Sequence, residues 1–135
     1  MPIDAIHVMR YPRDGGHFTT EVIERPAWDI VERELRSMHN WEKPILWLRQ
    51  NREVGDSNCL AVCGGCAIYH VQIADKAGDW KQALDPEGSE EEIEVWLSDQ
   101  GFATAAKFTW PVEKALELVR WYFDHGSAHP HYSWQ

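Results

Sequence analysis

At 135 residues and a formal net charge of −9, the chain has the size of one domain able to bury its own core and is too acidic for direct nucleic-acid binding, which depends on Lys and Arg displacing phosphate counterions. The absence of an apolar run of about 18 residues and of a basic-then-apolar leader after Met1 predicts neither a membrane span nor a secretory signal, and three cysteines, an odd number, argue for a reducing, cytoplasmic setting without a disulfide framework. Most of the eight tryptophans should be structural, because a buried indole covers a large area and needs a partner for its N–H, which leaves one or two to anchor a contact.

Asp4 to Tyr11 alternates weakly around Ile6 and Val8, Pro12 to Gly16 reads as a turn, and His17 to Ile23 is a second β-like run, giving a first hairpin. Pro26 to Asn40 reads as a helix with Trp28, Val31, Leu35 and Met38 on one face, and Pro44 stops any continuation. Ile45 to Gln50 is a strand, Asn51 to Asn58 a polar turn, and Leu60 to Cys63 and Ala67 to Ala74 are two strands hinged at Gly64-Gly65. After a turn at Asp75 to Asp79, Trp80 to Leu84 is a short strand and Asp85 to Ser89 a loop. In the strand Glu92 to Leu97, Ile93, Val95 and Leu97 share one face, while Glu94 and Trp96 share the other. Ala105 to Thr109 leads into the last helix.

That helix spans Pro111 to His125. Proline at a first helical position loses no hydrogen bond, and Gly126 supplies the left-handed cap. Val112, Ala115, Leu116, Val119, Tyr122 and Phe123 form its apolar stripe. A tail of Pro130-His131-Tyr132-Ser133-Trp134 after a capped helix has to dock on something. Strands that follow one another through short turns, with two helices to cover one side, predict a single α+β domain: an antiparallel sheet of about five to seven strands with both helices on one face.

The ending, carried by Ala115, Leu116, Arg120, Tyr122, Phe123, Gly126, Pro130 and Trp134, resembles the Imm1 family of bacterial immunity proteins, which typically finish with an aromatic-containing helix, a glycine break, a proline and a near-terminal tryptophan. Gly64-Gly65 before Ala67-Ile68-Tyr69-His70-Val71, and Trp80 before Leu84-Asp85-Pro86, look like that family's central glycine-marked strand pair. The resemblance covers roughly residues 45–134. It implies a protein that binds and neutralises a cognate toxin of a polymorphic toxin system, often a deaminase-fold toxin acting on nucleic acid, and carries out no chemistry itself. Trp110, Tyr122, Phe123, Pro130 and Trp134 match the pattern and read as core and tail-docking residues.

Cys59, Cys63, Cys66 and His70 form a C-x3-C-x2-C-x3-H string. A zinc site would need all four donors on a tetrahedron, yet Cys59 and Cys63 precede the bend while Cys66 and His70 follow it; thiols filling a sheet interior are the plainer reading. A redox Cys63/Cys66 pair lacks the helix N-terminus that usually lowers such a thiol's pKa. His125, His129 and His131 lie near a helix C-terminus, whose partial negative charge they complement without any metal. No G-x-S-x-G, H-E-x-x-H or phosphate-loop motif is present, nor the deaminase signature that the toxins themselves carry. These observations predict no catalytic residue, no metal and no cofactor. The alternative is a small metal- or thiol-dependent enzyme centred on Cys59, Cys63, Cys66 and His70, and a third reading is a scaffold domain.

Charge is concentrated. Nine acids against Lys76 and Lys81 fall between Asp75 and Gln100, so this stretch carries −7 of the −9. Complementary fields steer encounter, and an acidic surface suits the basic cleft of a nucleic-acid-acting protein. The expected toxin-contact residues are therefore Asp79, Trp80, Asp85, Glu87, Glu90, Glu91, Glu92, Glu94 and Trp96, an aromatic anchor ringed by acid. The expected partner is a basic toxin domain whose active site is occluded, with neither nucleic acid nor membrane bound directly.

Overall fold

The computed structural model describes residues 2–14, 16–53 and 55–135. The first hairpin forms from β1 (Ala5–Arg10) and β2 (Thr19–Glu24), paired antiparallel with Ile6 opposite Ile23. Gly15, within the predicted turn, and Val54, within the predicted loop before β4, lie outside the described residues. Helix α1 (Trp28–Arg36) is shorter than its apolar period predicts. The ring Nδ1 of His39 accepts the backbone N–H groups of Trp41 and Glu42 at 3.0 and 3.2 Å, an alternative to helical bonding. His39 and Lys43 then pair across a bridge. Met38 continues the apolar stripe and stays buried although the helix has ended.

A meander follows: β3 (Ile45–Arg49), β4 (Cys59–Gly65), β5 (Ile68–Ala74) and β6 (Trp80–Leu84). The chain leaves the sheet for β7 (Glu92–Leu97) and β8 (Gln100–Ala105), which form their own two-stranded sheet. A 3-10 turn (Ala106–Phe108), helix α2 (Val112–His125) and a two-residue strand β9 (Ser133–Trp134) complete it. The main sheet has seven antiparallel strands in the order β2-β1-β3-β4-β5-β6-β9, so the fold is the α+β domain expected. Pro111 sits one residue outside α2, at its N-cap, and Gly126 takes the left-handed cap at φ 69 with its N–H on the Tyr122 carbonyl.

Strand alternation divides the main sheet into two faces. Ile6 and Val8, Leu46 and Leu48, Leu60 and Val62, and Val71 face the helices, and with Val31, Leu35, Leu118, Val119 and Tyr122 they make the principal core. The other face carries Trp47, Ala61, Gln72 and Gln82 in one cross-strand row and Ile45, Cys63 and His70 in the next.

The Gly64-Gly65 pair is not the hinge expected. Both residues remain in β4, and the turn falls on Cys66 and Ala67, which hold positive φ values of 54 and 89. The glycines answer a different demand, close backbone approach: a Cβ on Gly64 would lie 2.3 Å from the Ile68 carbonyl oxygen, and one on Gly65 2.8 Å from the His39 nitrogen.

Trp110 exchanges both backbone hydrogen bonds with Tyr69 and donates its indole N–H to the Ala83 carbonyl. The tail docks on it through Tyr132, whose ring meets Trp110 edge-on at 5.3 Å and whose hydroxyl bonds Glu117. Trp134 is half-buried with its N–H on the His129 carbonyl, and Pro130 is exposed rather than docked. Truncation at Trp110 should therefore cost the about 3–5 kcal/mol of a buried aromatic, and Trp134→Ala distinctly less. Chemical denaturation of both variants tests the order; equal losses would place Trp134 in the core.

Candidate functional site

The β7–β8 hairpin lies over the sheet face opposite the helices. At its tip, the Ser98 N–H donates to the Asn40 carbonyl at 2.7 Å and the Ser98 hydroxyl to the Trp41 carbonyl. At its base, the N–H groups of Ala106 and Lys107 bond the carbonyls of Glu91 and Ser89, and the Asp85 N–H bonds the Lys107 carbonyl at 2.7 Å. Val95 is buried and reaches over Gly64. The hairpin is thus held at both ends, and the tie at its tip runs through the His39–Lys43 loop.

β8 is weakly marked in the sequence and not among the predicted strands, because Gly101, Ala103 and Ala105 are poor strand formers. The available signal was Phe102 and Thr104 alternating with small residues after a two-residue connection, Ser98-Asp99.

Between the hairpin and the sheet runs a groove of about 560 Å³. Trp47, Trp80, Phe102 and Leu97 supply apolar walls, and His70, Gln72, Gln82 and Thr104 supply polar groups. His70 meets Phe102 edge-on at 5.2 Å, and its Nε2 pairs with Gln82 Oε1 at 2.7 Å. Among the described residues, its buried Nδ1 has no partner.

The cysteine–histidine string does not assemble. Cys63 faces His70 across the β4–β5 ladder, Cys59 lies at the far end of β4, and Cys66 sits exposed on the turn with its Sγ near Asn40 Oδ1 at 3.7 Å. Among the described residues, no three His, Cys, Asp or Glu side chains converge to hold a metal ion. Burial pushes the Cys63 thiol up to about 12, so it stays protonated and a poor nucleophile.

Burial also depresses His70, against the weaker opposing effect of its Gln82 hydrogen bond. The ring folds neutral, and the unfolded state, with an ordinary pKa near 6.5, takes up the proton first. His70 thus contributes stability that is complete above about pH 6.5 and lost as pH falls through the folded-state pKa. A His70→Gln variant should show a flatter decline in melting temperature between about pH 6.5 and 5; an unchanged slope would assign the acid sensitivity to other groups.

The nine residues expected to contact a partner separate into four settings. Glu92, Glu94 and Trp96 share the outer face of β7, opposite Ala105, Ala103 and Gly101, and Trp96 is 48% exposed. Trp80 opens β6 opposite Ala74 and lines the groove on the inner side of the hairpin. Asp79 and Glu87 are exposed in two turns, and the Asp85 carboxylate accepts the Glu87 N–H at 3.0 Å. Glu90 is paired with Lys107, its exposed neighbour Glu91 uses its carbonyl to bind the Ala106 N–H, and among the described residues Glu92 and Glu94 enter no ion pair. The acid run is thus two things: a base clamp at Glu90 and an unpaired outer face at Glu92 and Glu94.

The depression beside the first hairpin carries cations, but there Arg10, Arg13 and Lys43 are paired with Glu21, Glu42 and Glu34 respectively. Comparison with protein-family models and with curated proteins finds no match. Among the described residues, no helix is long and apolar enough to cross a membrane.

Proposed function

We propose that this chain is an immunity protein of the Imm1 type that binds and neutralises a cognate bacterial toxin, a basic, nucleic-acid-acting domain of the deaminase kind, by covering its active site. The observation that carries the reading is the outer face of the β7–β8 hairpin: an exposed Trp96 beside two unpaired carboxylates, Glu92 and Glu94, on a two-stranded platform tied down at both ends. A large, rigid aromatic side chain surrounded by charge is what a hot spot with a steering rim requires. The C-terminal helix, break and tail add their likeness to the family. The cysteine–histidine enzyme reading has less support, since its donors are dispersed and burial favours the protonated form of both thiols in the sheet, Cys59 and Cys63.

Co-expression with the toxin encoded beside this chain's gene tests the proposal. Survival of the cells and co-purification of the two proteins are the expected results. Survival without a complex, or death with both proteins present, would overturn it.

A further inference from the structure

The hairpin has two edges, and they are treated differently. β7 packs against β4 and β5, whereas β8 has β7 as its only strand partner among the described residues. The Ala106 N–H donates to the Glu91 carbonyl, and this sets the phase of the antiparallel ladder. Phe102 and Thr104, opposite Val95 and Ile93, turn their backbone groups toward β7, while Gly101, Ala103 and Ala105 turn theirs away. Among the described residues, no other segment takes up those outward N–H and C=O groups.

Sheet edges are usually blunted by charge, proline or a bulge, because an open edge is a template for another strand. The edge strand β2 carries Glu21 and Glu24, whereas β8 reads Gln-Gly-Phe-Ala-Thr-Ala, without a charge or a proline. Three consecutive residues of β8, Phe102 to Thr104, also line the groove, so the groove runs along this edge.

We propose that β8 is a strand-addition site: an extended segment of the partner pairs with the outward backbone groups of Gly101, Ala103 and Ala105 and becomes the third strand of the hairpin sheet. This rests on the inhibitor reading above and adds how the toxin is gripped. Alternation then dictates the segment's chemistry. Side chains on its inner face, continuing the row of Phe102 and Thr104, enter the groove against Trp47, Trp80 and Gln72 and are apolar or aromatic. Those on its outer face lie beside Gly101, Ala103 and Ala105, whose small size leaves Glu92 and Glu94 of β7 free to reach across, and are Lys or Arg. The occupant is an alternating basic–apolar strand.

The probe is a seven-residue peptide, acetylated and amidated at its ends, in which Lys alternates with Val and a central Phe; the control replaces each Lys with Glu. With the full-length 15N-labelled chain, the Lys peptide is expected to slow amide exchange at Gly101, Ala103 and Ala105 while leaving Phe102 and Thr104, already paired with β7, nearly unchanged. Ala103→Pro deletes one outward N–H without touching the β7 ladder and should weaken the peptide about tenfold. The exchange measurement on the wild-type chain stands even if that variant is poorly folded.

Unprotected amides at these three positions, or equal binding of the Glu peptide, would overturn the proposal. So would a chain that is dimeric by sedimentation with these amides already protected, since the occupant would then be a second copy. The neighbouring toxin separates the two readings. A toxin that binds wild type and Ala103→Pro equally overturns strand addition and leaves the inhibitor; a toxin that does not bind, beside a peptide that does, overturns the inhibitor and leaves the edge site.

Discussion

Trp96→Ala is expected to raise the dissociation constant of the toxin complex by at least about thirty-fold, the effect of losing a hot spot worth about 2 kcal/mol or more, with little change in melting temperature. The two halves of this expectation have separate physical sources. Nearly half of the Trp96 surface is already in water, and its ring lies over Gly101, where a Cβ would be 3.2 Å from its Cε3, so truncation opens no cavity and should cost stability only about 0.5 kcal/mol. In a complex the same ring would be the largest apolar surface available on the outer face of the hairpin. The carboxylates beside it behave differently: Glu92→Lys with Glu94→Lys should slow association at low salt and flatten its salt dependence, because rim charges act chiefly on encounter. Reversing Glu90 as well would confuse the result, since it breaks the Lys107 pair at the hairpin base. Surface plasmon resonance at two salt concentrations, beside thermal melts, reads both effects. A Trp96→Ala chain that binds as tightly as wild type would move the inhibitory face off this hairpin.

How much of this was legible in the sequence depends on whether the signal was local. Alternation in Glu92 to Leu97 already separated Ile93, Val95 and Leu97 from Glu94 and Trp96, and the structure keeps that division, because a strand half-covered on one side writes its burial into every second residue. The α2 stripe was likewise readable, although Leu118, fully buried, was outside it; a helix pressed between a sheet and a second helix buries more than one narrow line. The grouping of the acids was not readable. Glu90 and Glu92 are two residues apart, yet one is clamped by Lys107 and the other is unpaired, and only the return of the chain through β8 decides which. Nor could the pattern of Cys59, Cys63, Cys66 and His70 reveal that the β4–β5 turn lies at Cys66-Ala67, which puts one thiol in solvent and two in the sheet. The two glycines mark the right strands for a different reason: the Ile68 carbonyl crowds Gly64 from across the turn, and the backbone of the His39–Lys43 loop crowds Gly65, an approach from distant sequence that leaves no local pattern.

That loop is where fold and site are coupled, and Gly65→Ala is the variant that should expose the coupling. Gly65 holds φ at 128, a region that residues with a side chain rarely enter, and the strain of forcing one there is about 1–3 kcal/mol. The added Cβ would also meet His39 backbone atoms at 2.8 to 2.9 Å. Those atoms belong to a bridged turn in which His39 and Lys43 exchange hydrogen bonds at 3.0 Å, so relief requires the turn to move, at a further cost of about 1–3 kcal/mol for overpacking. The expected loss of stability is therefore about 2–6 kcal/mol, the sum of the two effects. The displacement should not stop at the turn. Asn40 and Trp41 of the same loop accept both hydrogen bonds from Ser98 at the hairpin tip, and Ser98 is buried at φ 63, so its position is set by those two carbonyls. A shifted loop frees the tip while Glu91, Ser89 and Lys107 still hold the base. Hydrogen exchange on a Gly65→Ala chain, at a temperature where it remains folded, should show faster exchange at Ser98 and along the tip-side half of β7 and β8, with weaker toxin binding despite an untouched Trp96. If stability fell but Ser98 stayed protected and binding was unchanged, the His39–Lys43 loop would support the core alone and the hairpin would owe its position to Val95 and the base contacts.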